Sequence, residues 1–184
     1  GGERLAQYGR VLASAGDVDD DGDDELLVGL PLADTGRPDA GRLEVFAGSP
    51  DGLPADPSWT YSGSNVRARL GSAVSALGDI NDDGYGDIVA SAPYYSNGHS
   101  MEGQIMAFLG SEDGLGEAPV WTREENQSGA RLGASLSRPV DLDANTFNDL
   151  VVGAPGWNAQ RGAAIVYMNT ADNQYFAKLR TIVG

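Results

Sequence analysis

The 184-residue sequence contains no cysteine, a single histidine and a single lysine. Without cysteine there is no disulfide scaffold, no thiolate zinc site and no sulfur nucleophile. The one histidine, His99, lies in the loop Tyr94-Tyr95-Ser96-Asn97-Gly98-His99-Ser100. A serine triad would have to use that residue, and a lone loop histidine is ordinarily a surface group. Basic residues are also scarce: 12 Lys+Arg stand against 27 Asp+Glu, for a net charge of -15. Such an excess repels nucleic-acid backbones and anionic membrane surfaces, and the arginines form no stripe. No run approaches the roughly 18 apolar residues of a membrane span. There is no initiator methionine and no signal-peptide pattern, so the chain reads as a mature protein or an excerpt. What is abundant is glycine, 26 residues, beside a hydrophobic content of 41%. That content is too high for a disordered acidic tail and sufficient for a core.

The chain repeats itself with a period of 62 residues: Tyr8-Gly9 returns as Leu70-Gly71 and Leu132-Gly133. Acidic loops open at Asp17, Asp79 and Asp141, and a Gly/Ser-x-Pro triplet follows at Gly29, Ser91 and Gly153. Apolar runs begin after Gly41, Gly103 and Gly162, the last after a loop three residues shorter. Trp59-Thr60 matches Trp121-Thr122, and their shared register marks outer-strand structural positions. The copies span 1–66, 67–128 and 129–184, with Asn173 to Gly184 the least regular part. Within a copy, short apolar runs alternate with turn residues and no helical period is sustained. Four strands per copy predict an all-β chain of three four-stranded antiparallel sheets stacked as propeller blades.

The acidic loops carry the chemistry. In register they read Asp17-Val18-Asp19-Asp20-Asp21-Gly22-Asp23-Asp24-Glu25, Asp79-Ile80-Asn81-Asp82-Asp83-Gly84-Tyr85-Gly86-Asp87 and Asp141-Leu142-Asp143-Ala144-Asn145-Thr146-Phe147-Asn148-Asp149. Positions 1, 3, 5 and 9 always bear oxygen, which gives Asp17, Asp19, Asp21 and Glu25; Asp79, Asn81, Asp83 and Asp87; and Asp141, Asp143, Asn145 and Asp149. Position 7 varies (Asp23, Tyr85, Phe147), as expected where only a backbone carbonyl is used. Hard cations such as Ca²⁺ take six to eight oxygen ligands, and Gly at position 6 permits the reversal that makes alternate residues converge. With no nitrogen or sulfur ligand, zinc and copper are disfavoured, and Mg²⁺ prefers to retain several waters. An EF-hand needs an acid at position 12, where this chain has Val28, Ala90 and Val152 inside apolar runs. Asp-Gly loops are also ordinary turns. Three in one register, each closing on an acid, favour up to three Ca²⁺ ions in a structural role. That implies millimolar calcium, hence a secreted or cell-surface setting. Loop three, with Thr146 for Gly, is the weakest match.

These elements together resemble the FG-GAP repeat of integrin α-subunit β-propellers and of bacterial surface proteins. Tyr8-Gly9, Leu70-Gly71 and Leu132-Gly133 stand for Phe-Gly, and Gly153-Ala154-Pro155 is an intact Gly-Ala-Pro beside two near matches. The resemblance implies Ca²⁺ in hairpin loops on one face and partner binding through loops of the other. Those loops are Ala33–Ala40, Tyr94–Glu102 and Trp157–Arg161, with Tyr94, Tyr95 and Trp157 as ligand-contact candidates. Such propellers have about seven blades, so three imply a fragment, or a partial propeller completed by further blades from the same or another chain. The expected function is a non-catalytic module for adhesion, or for binding a protein or glycan. An ancillary module of a larger secreted enzyme and a purely architectural element are the alternatives. Asn126-Gln127-Ser128 is a glycosylation acceptor pattern in a eukaryotic secretory host.

Overall fold

A computed structural model describes residues 6–170 and 175–184. The first sheet runs β1 (Val11–Gly16), β2 (Glu25–Leu30), β3 (Arg42–Phe46), β4 (Trp59–Ser62) in spatial order. The second follows the same order with β5 (Val74–Gly78), β6 (Asp87–Ala92), β7 (Gln104–Phe108) and β8 (Trp121–Glu124). The third contains β9 (Ser135–Leu136), β10 (Leu150–Ala154), β11 (Ala163–Asn169) and β12 (Phe176–Val183). Every pairing within a sheet is antiparallel. The all-β expectation of three four-stranded sheets is met. One helical turn, α1 (Trp157–Gln160), lies in the shortened loop of the third copy. Among the described residues no helix is long and apolar enough to cross a membrane.

The second strand of each copy is apolar on both faces because the sheets stack. Along β6, Ile88 and Ala90 join Leu27, Leu43 and Val45 of the first sheet in one core cluster. The intervening Val89 turns the other way and packs with Leu150, Val152 and Ile165 of the third sheet. A middle blade therefore buries both sides of its pleat, and β6 is buried along its whole length. Each fully buried Val, Leu or Ile contributes about 1.5–3 kcal/mol of transfer free energy. The outer-strand tryptophans join the same interfaces. Trp59 packs edge-on to Phe108 at 5.3 Å between centroids, and Trp121 meets Tyr167 at 5.5 Å. First strands β1, β5 and β9 line one common cleft of about 620 Å³.

The Phe-Gly element is a blade-to-blade stitch. Leu70 forms a parallel bridge with Gly41, and its N–H donates to the Ala40 carbonyl at 3.0 Å. Leu132 does the same with Gly103 and the Glu102 carbonyl, also at 3.0 Å. The following glycine bonds to its own blade, Gly71 to Ser91 and Gly133 to Gly153. Leu70 and Leu132 are thus 0% exposed, whereas Tyr8, their register mate in the first copy, is 60% exposed.

One sequence reading changes. Most of the stretch judged least regular is β12, the longest strand of the described residues, paired to β11 from Ala163↔Val183 to Asn169↔Phe176. Because β12 pairs on one side only, most of its residues are exposed, including the apolar Leu179, Ile182 and Val183. Asn173, where that stretch began, lies outside the described residues.

The stitch is testable by two glycines of nearly equal φ. A Cβ at Gly103 (φ +84) would meet Leu132 N and O at 2.3 Å, whereas one at Gly98 (φ +83) meets nothing within 4 Å. Gly98→Ala should cost about 1–2 kcal/mol from backbone strain alone. Gly103→Ala should cost about 3–4 kcal/mol, read from urea denaturation with unchanged m-values. Equal losses would show that the approach of Leu132 is not tight.

Candidate metal centres

Each acidic loop joins the first and second strands of its blade, and the three adopt one conformation. Position 4 is left-handed in all of them, with φ of 60° at Asp20, 63° at Asp82 and 61° at Ala144. Position 6 is too, with φ of 97° at Gly22, 96° at Gly84 and 77° at Thr146. The position-1 carboxylate organises the turn. Its oxygens accept the N–H of position 5 (Asp21, Asp83, Asn145) at 3.1, 3.2 and 3.2 Å. They also accept the N–H of position 6 (Gly22, Gly84, Thr146) at 3.0, 2.8 and 2.9 Å. The N–H of position 7 (Asp23, Tyr85, Phe147) then donates to the position-5 side chain at 2.9, 3.0 and 2.8 Å. Phe147 has no side-chain oxygen, so only its carbonyl could serve as a ligand.

The loop brings the acids together. Carboxylate oxygens of Asp17, Asp19 and Asp21 lie within 4.8 Å of one another, as do those of Asp141, Asp143 and Asp149. In the second loop Asn81 replaces one acid. Position 3 is decisive for the donor chemistry. Asp19 Oδ1 and Asn81 Oδ1 occupy the same register in two blades, and both are buried with no hydrogen-bond partner. Buried oxygens are rarely left this way. A hard cation uses oxygen donors alone, so the residues present fit Ca²⁺.

The closing acid does more than its spacing suggests. Glu25, Asp87 and Asp149 are all buried. One oxygen of each accepts the N–H of position 2: Val18 at 2.8 Å, Ile80 at 2.7 Å, Leu142 at 2.7 Å. The other accepts an N–H at the end of the third strand or just past it: Gly48 at 3.2 Å, Gly110 at 2.9 Å, Asn169 at 2.9 Å. The loops are also tied to their neighbours. Gly86 N–H donates to the Asp17 carbonyl at 2.8 Å, and Asn169 Nδ2 to the Ile80 carbonyl at 2.9 Å. In the sequence this role is signalled only by the recurrence of Gly48-Ser49 as Gly110-Ser111, one 62-residue period on, which carries the register but not the bond.

Charge is uncompensated here. Burial pushes the Asp87 carboxyl up to about 7, with Asp83 and Asp79 adding to the rise and the Ile80 and Gly110 N–H groups opposing it. Burial raises Asp19 as well, reinforced by Asp21, and raises Glu25 against its two backbone donors. Asp141 moves the other way, lowered first by the Thr146 N–H. A divalent cation at the loop centre would supply the missing countercharge.

The ligand-loop candidates lie at the opposite end of the blades, since β1 runs from that end to the acidic loop. Tyr94 lines a cleft there, with the Arg69 guanidinium 4.4 Å above its ring. Tyr95 and Trp157 pack instead against the two main core clusters, and Lys178 Nζ sits 5.0 Å from the Trp157 ring. His99 faces Glu102, Nδ1 to Oε2 at 3.5 Å.

Comparison with known proteins follows the same lines. The FG-GAP repeat profile matches residues 70–105. The chain is 39% identical to integrin α-IIb of Mus musculus over 163 residues, 84% of this chain and 16% of that protein. It is 37% identical to integrin α-PS5 of Drosophila melanogaster over 171 residues, and 33% identical to integrin α-8 of Gallus gallus over 177 residues. These alignments cover 86% and 90% of this chain and 16% of each relative. The chain thus spans about a sixth of the length of the curated relatives it matches.

Thr146 is a β-branched residue held at φ 77°, a position the other loops give to Gly. Thr146→Gly should stabilise the protein by about 1 kcal/mol, raising Tm by roughly 2–4 °C. An unchanged or lower Tm in calorimetry would show that the third loop is not strained there.

Proposed function

Because this chain is an integrin-like FG-GAP repeat protein, we propose that it is an extracellular, non-catalytic, calcium-binding β-propeller module of the adhesion type. One Ca²⁺ per repeat would be held by Asp17, Asp19, Asp21 and Glu25 with the Asp23 carbonyl, by Asp79, Asn81, Asp83 and Asp87 with the Tyr85 carbonyl, and by Asp141, Asp143, Asn145 and Asp149 with the Phe147 carbonyl. The observation that carries this reading is the pair of orphaned, buried position-3 oxygens, Asp19 Oδ1 and Asn81 Oδ1. An Asp-Gly turn serving only as a turn has no use for an oxygen withheld from both water and protein. The ions' role is structural: each fastens a loop that already bonds to its own third strand and to a neighbouring blade.

The repeat units are 1–66, 67–128 and 129–184, and they stack through the Leu-Gly stitch. Exposure of Tyr8 where Leu70 and Leu132 are covered supports a further blade on that face, from the same chain or another. A protein partner is the favoured ligand, in keeping with relatives named as integrin α-subunits. It would dock on the loops opposite the acidic end.

At about 1 mM free calcium and a Kd of about 0.1 mM, each site adds about 1.4 kcal/mol, or roughly 4 kcal/mol for three. Thermal unfolding in millimolar calcium should therefore occur about 8–16 °C higher than in EDTA. Magnesium should restore less of the shift than calcium. An identical Tm in calcium and chelator would remove the structural role.

A further inference from the structure

We propose that the end of the blades opposite the acidic loops carries an anion-binding cleft that takes a carboxylate-bearing segment of a protein partner. The proposal deepens the binding reading above and rests on it for the choice of binding face. The cleft has a volume of about 460 Å³ and draws residues from all three copies, among them Arg10, Arg69 and Arg131. Arg69 and Arg131 share one register, immediately before Leu70-Gly71 and Leu132-Gly133, and Gln7 holds that position in the first copy. All three are left-handed, with φ of 54° at Gln7, 59° at Arg69 and 53° at Arg131. The turn is closed each time by the same bond, from the N–H three residues on: Arg10 to Gln7, Ser72 to Arg69, Ala134 to Arg131. The fold thus aims the same backbone position of successive blades at one place.

What these arginines lack is a carboxylate. The chain has 27 acidic residues and 12 basic ones, yet no acid is among the described residues lining the cleft. Each guanidinium has a neutral neighbour instead. Arg10 donates to Gln7 Oε1, Arg131 Nη2 donates to Gln160 Oε1 at 3.3 Å, and Arg69 lies over the Tyr94 ring. Among the described residues none of the three is within ion-pair distance of an acid, although Arg42 and Lys178 elsewhere are paired. These neutral contacts orient the guanidinium planes while leaving their charge unspent. A guanidinium fork matches a carboxylate bidentately, and a recess concentrates the field of three such groups.

The rest of the lining selects among anions. Pro31, Pro93 and Pro155 recur in register around the cleft, and with Tyr94 and Leu32 they offer apolar surface to the carbon stem of an acidic side chain. A long polyanion such as a sulfated glycan would extend beyond the arginines over a molecule of net charge -15 and be repelled. A short peptide segment with one to three carboxylates keeps its charge inside the cleft.

The test is fluorescence anisotropy on the full chain in calcium. The probes are a labelled pentapeptide with three consecutive carboxylates, its counterpart with each acid replaced by the amide, inorganic sulfate, and heparin. The acidic peptide should bind about tenfold or more tighter than the amide form. Binding should weaken several-fold between about 0.05 and 0.5 M salt. Arg69→Gln combined with Arg131→Gln should weaken it about tenfold, and Arg180→Gln on β12 should leave it unchanged. Exposed Arg10→Gln should weaken it about threefold, and it decides the matter if the double variant fails to fold, as judged by loss of cooperative melting. Equal binding of both peptides, parent-like binding by the arginine variants, or binding of heparin or sulfate alone would overturn the proposal. The calcium-dependent Tm shift is read on the same samples. A normal shift without peptide binding removes this inference alone; peptide binding without the shift removes the calcium reading alone.

Discussion

The carboxylates of Glu25, Asp87 and Asp149 are enclosed in the protein, and each accepts one N–H from its own acidic loop and one from the exit of its third strand. Among the described residues no cationic side chain stands beside them. That arrangement fixes where the loop sits on its blade. Bonds such as Gly86 to Asp17 then fix where the loop sits relative to the next blade. At the other end of the blades, the parallel bridges Gly41↔Leu70 and Gly103↔Leu132 supply the second attachment. Between the two, the stacked strand faces are mainly apolar, with the Tyr167 hydroxyl donating to Glu125 Oε1 at 2.6 Å. The apolar core supplies most of the free energy, and the polar ends set the register of the stack.

An oxygen-rich loop of this kind has an electrostatic problem that burial alone worsens. Seven acids occupy nine consecutive positions in the first loop. The position-1 carboxylates are relieved by backbone N–H donors, which is why Asp141 is shifted down. The position-3 oxygens of Asp19 and Asn81 receive no such donor. In the first two blades, then, one set of oxygens is satisfied by the chain and a second is held open, whereas in the third Asp143 Oδ1 accepts the Asn145 N–H at 3.2 Å. Backbone bonding shapes the cage in advance, and the open oxygens are the ones left to a cation.

Most of this architecture was legible in the residues. The 62-residue register located all three loops, and the need of each four-stranded copy for neighbours pointed to stacked blades. Gly22 and Gly84 announced the left-handed turn at position 6. Three features were not legible. The left-handed position 4 is spelled Asp20, Asp82 and Ala144, and alanine carries no turn signal. The closing acid's bond to the end of the third strand joins residues 20 or more apart, so no local pattern encodes it. Strand β12 escaped because the third copy lacks the Trp-Thr pair that marks the fourth strand at Trp59 and Trp121. The arginine cleft was hidden for another reason: Arg10, Arg69 and Arg131 are far apart in sequence, and only stacking of the blades brings them to one recess.

The most direct examination of the central claim is an anomalous difference map from crystals grown in millimolar calcium. The account predicts one peak within each acidic loop, about 2.3–2.6 Å from the side-chain oxygens of positions 1, 3 and 5. Loops devoid of anomalous density, with Asp19 and Asn81 turned outward to water, would contradict it.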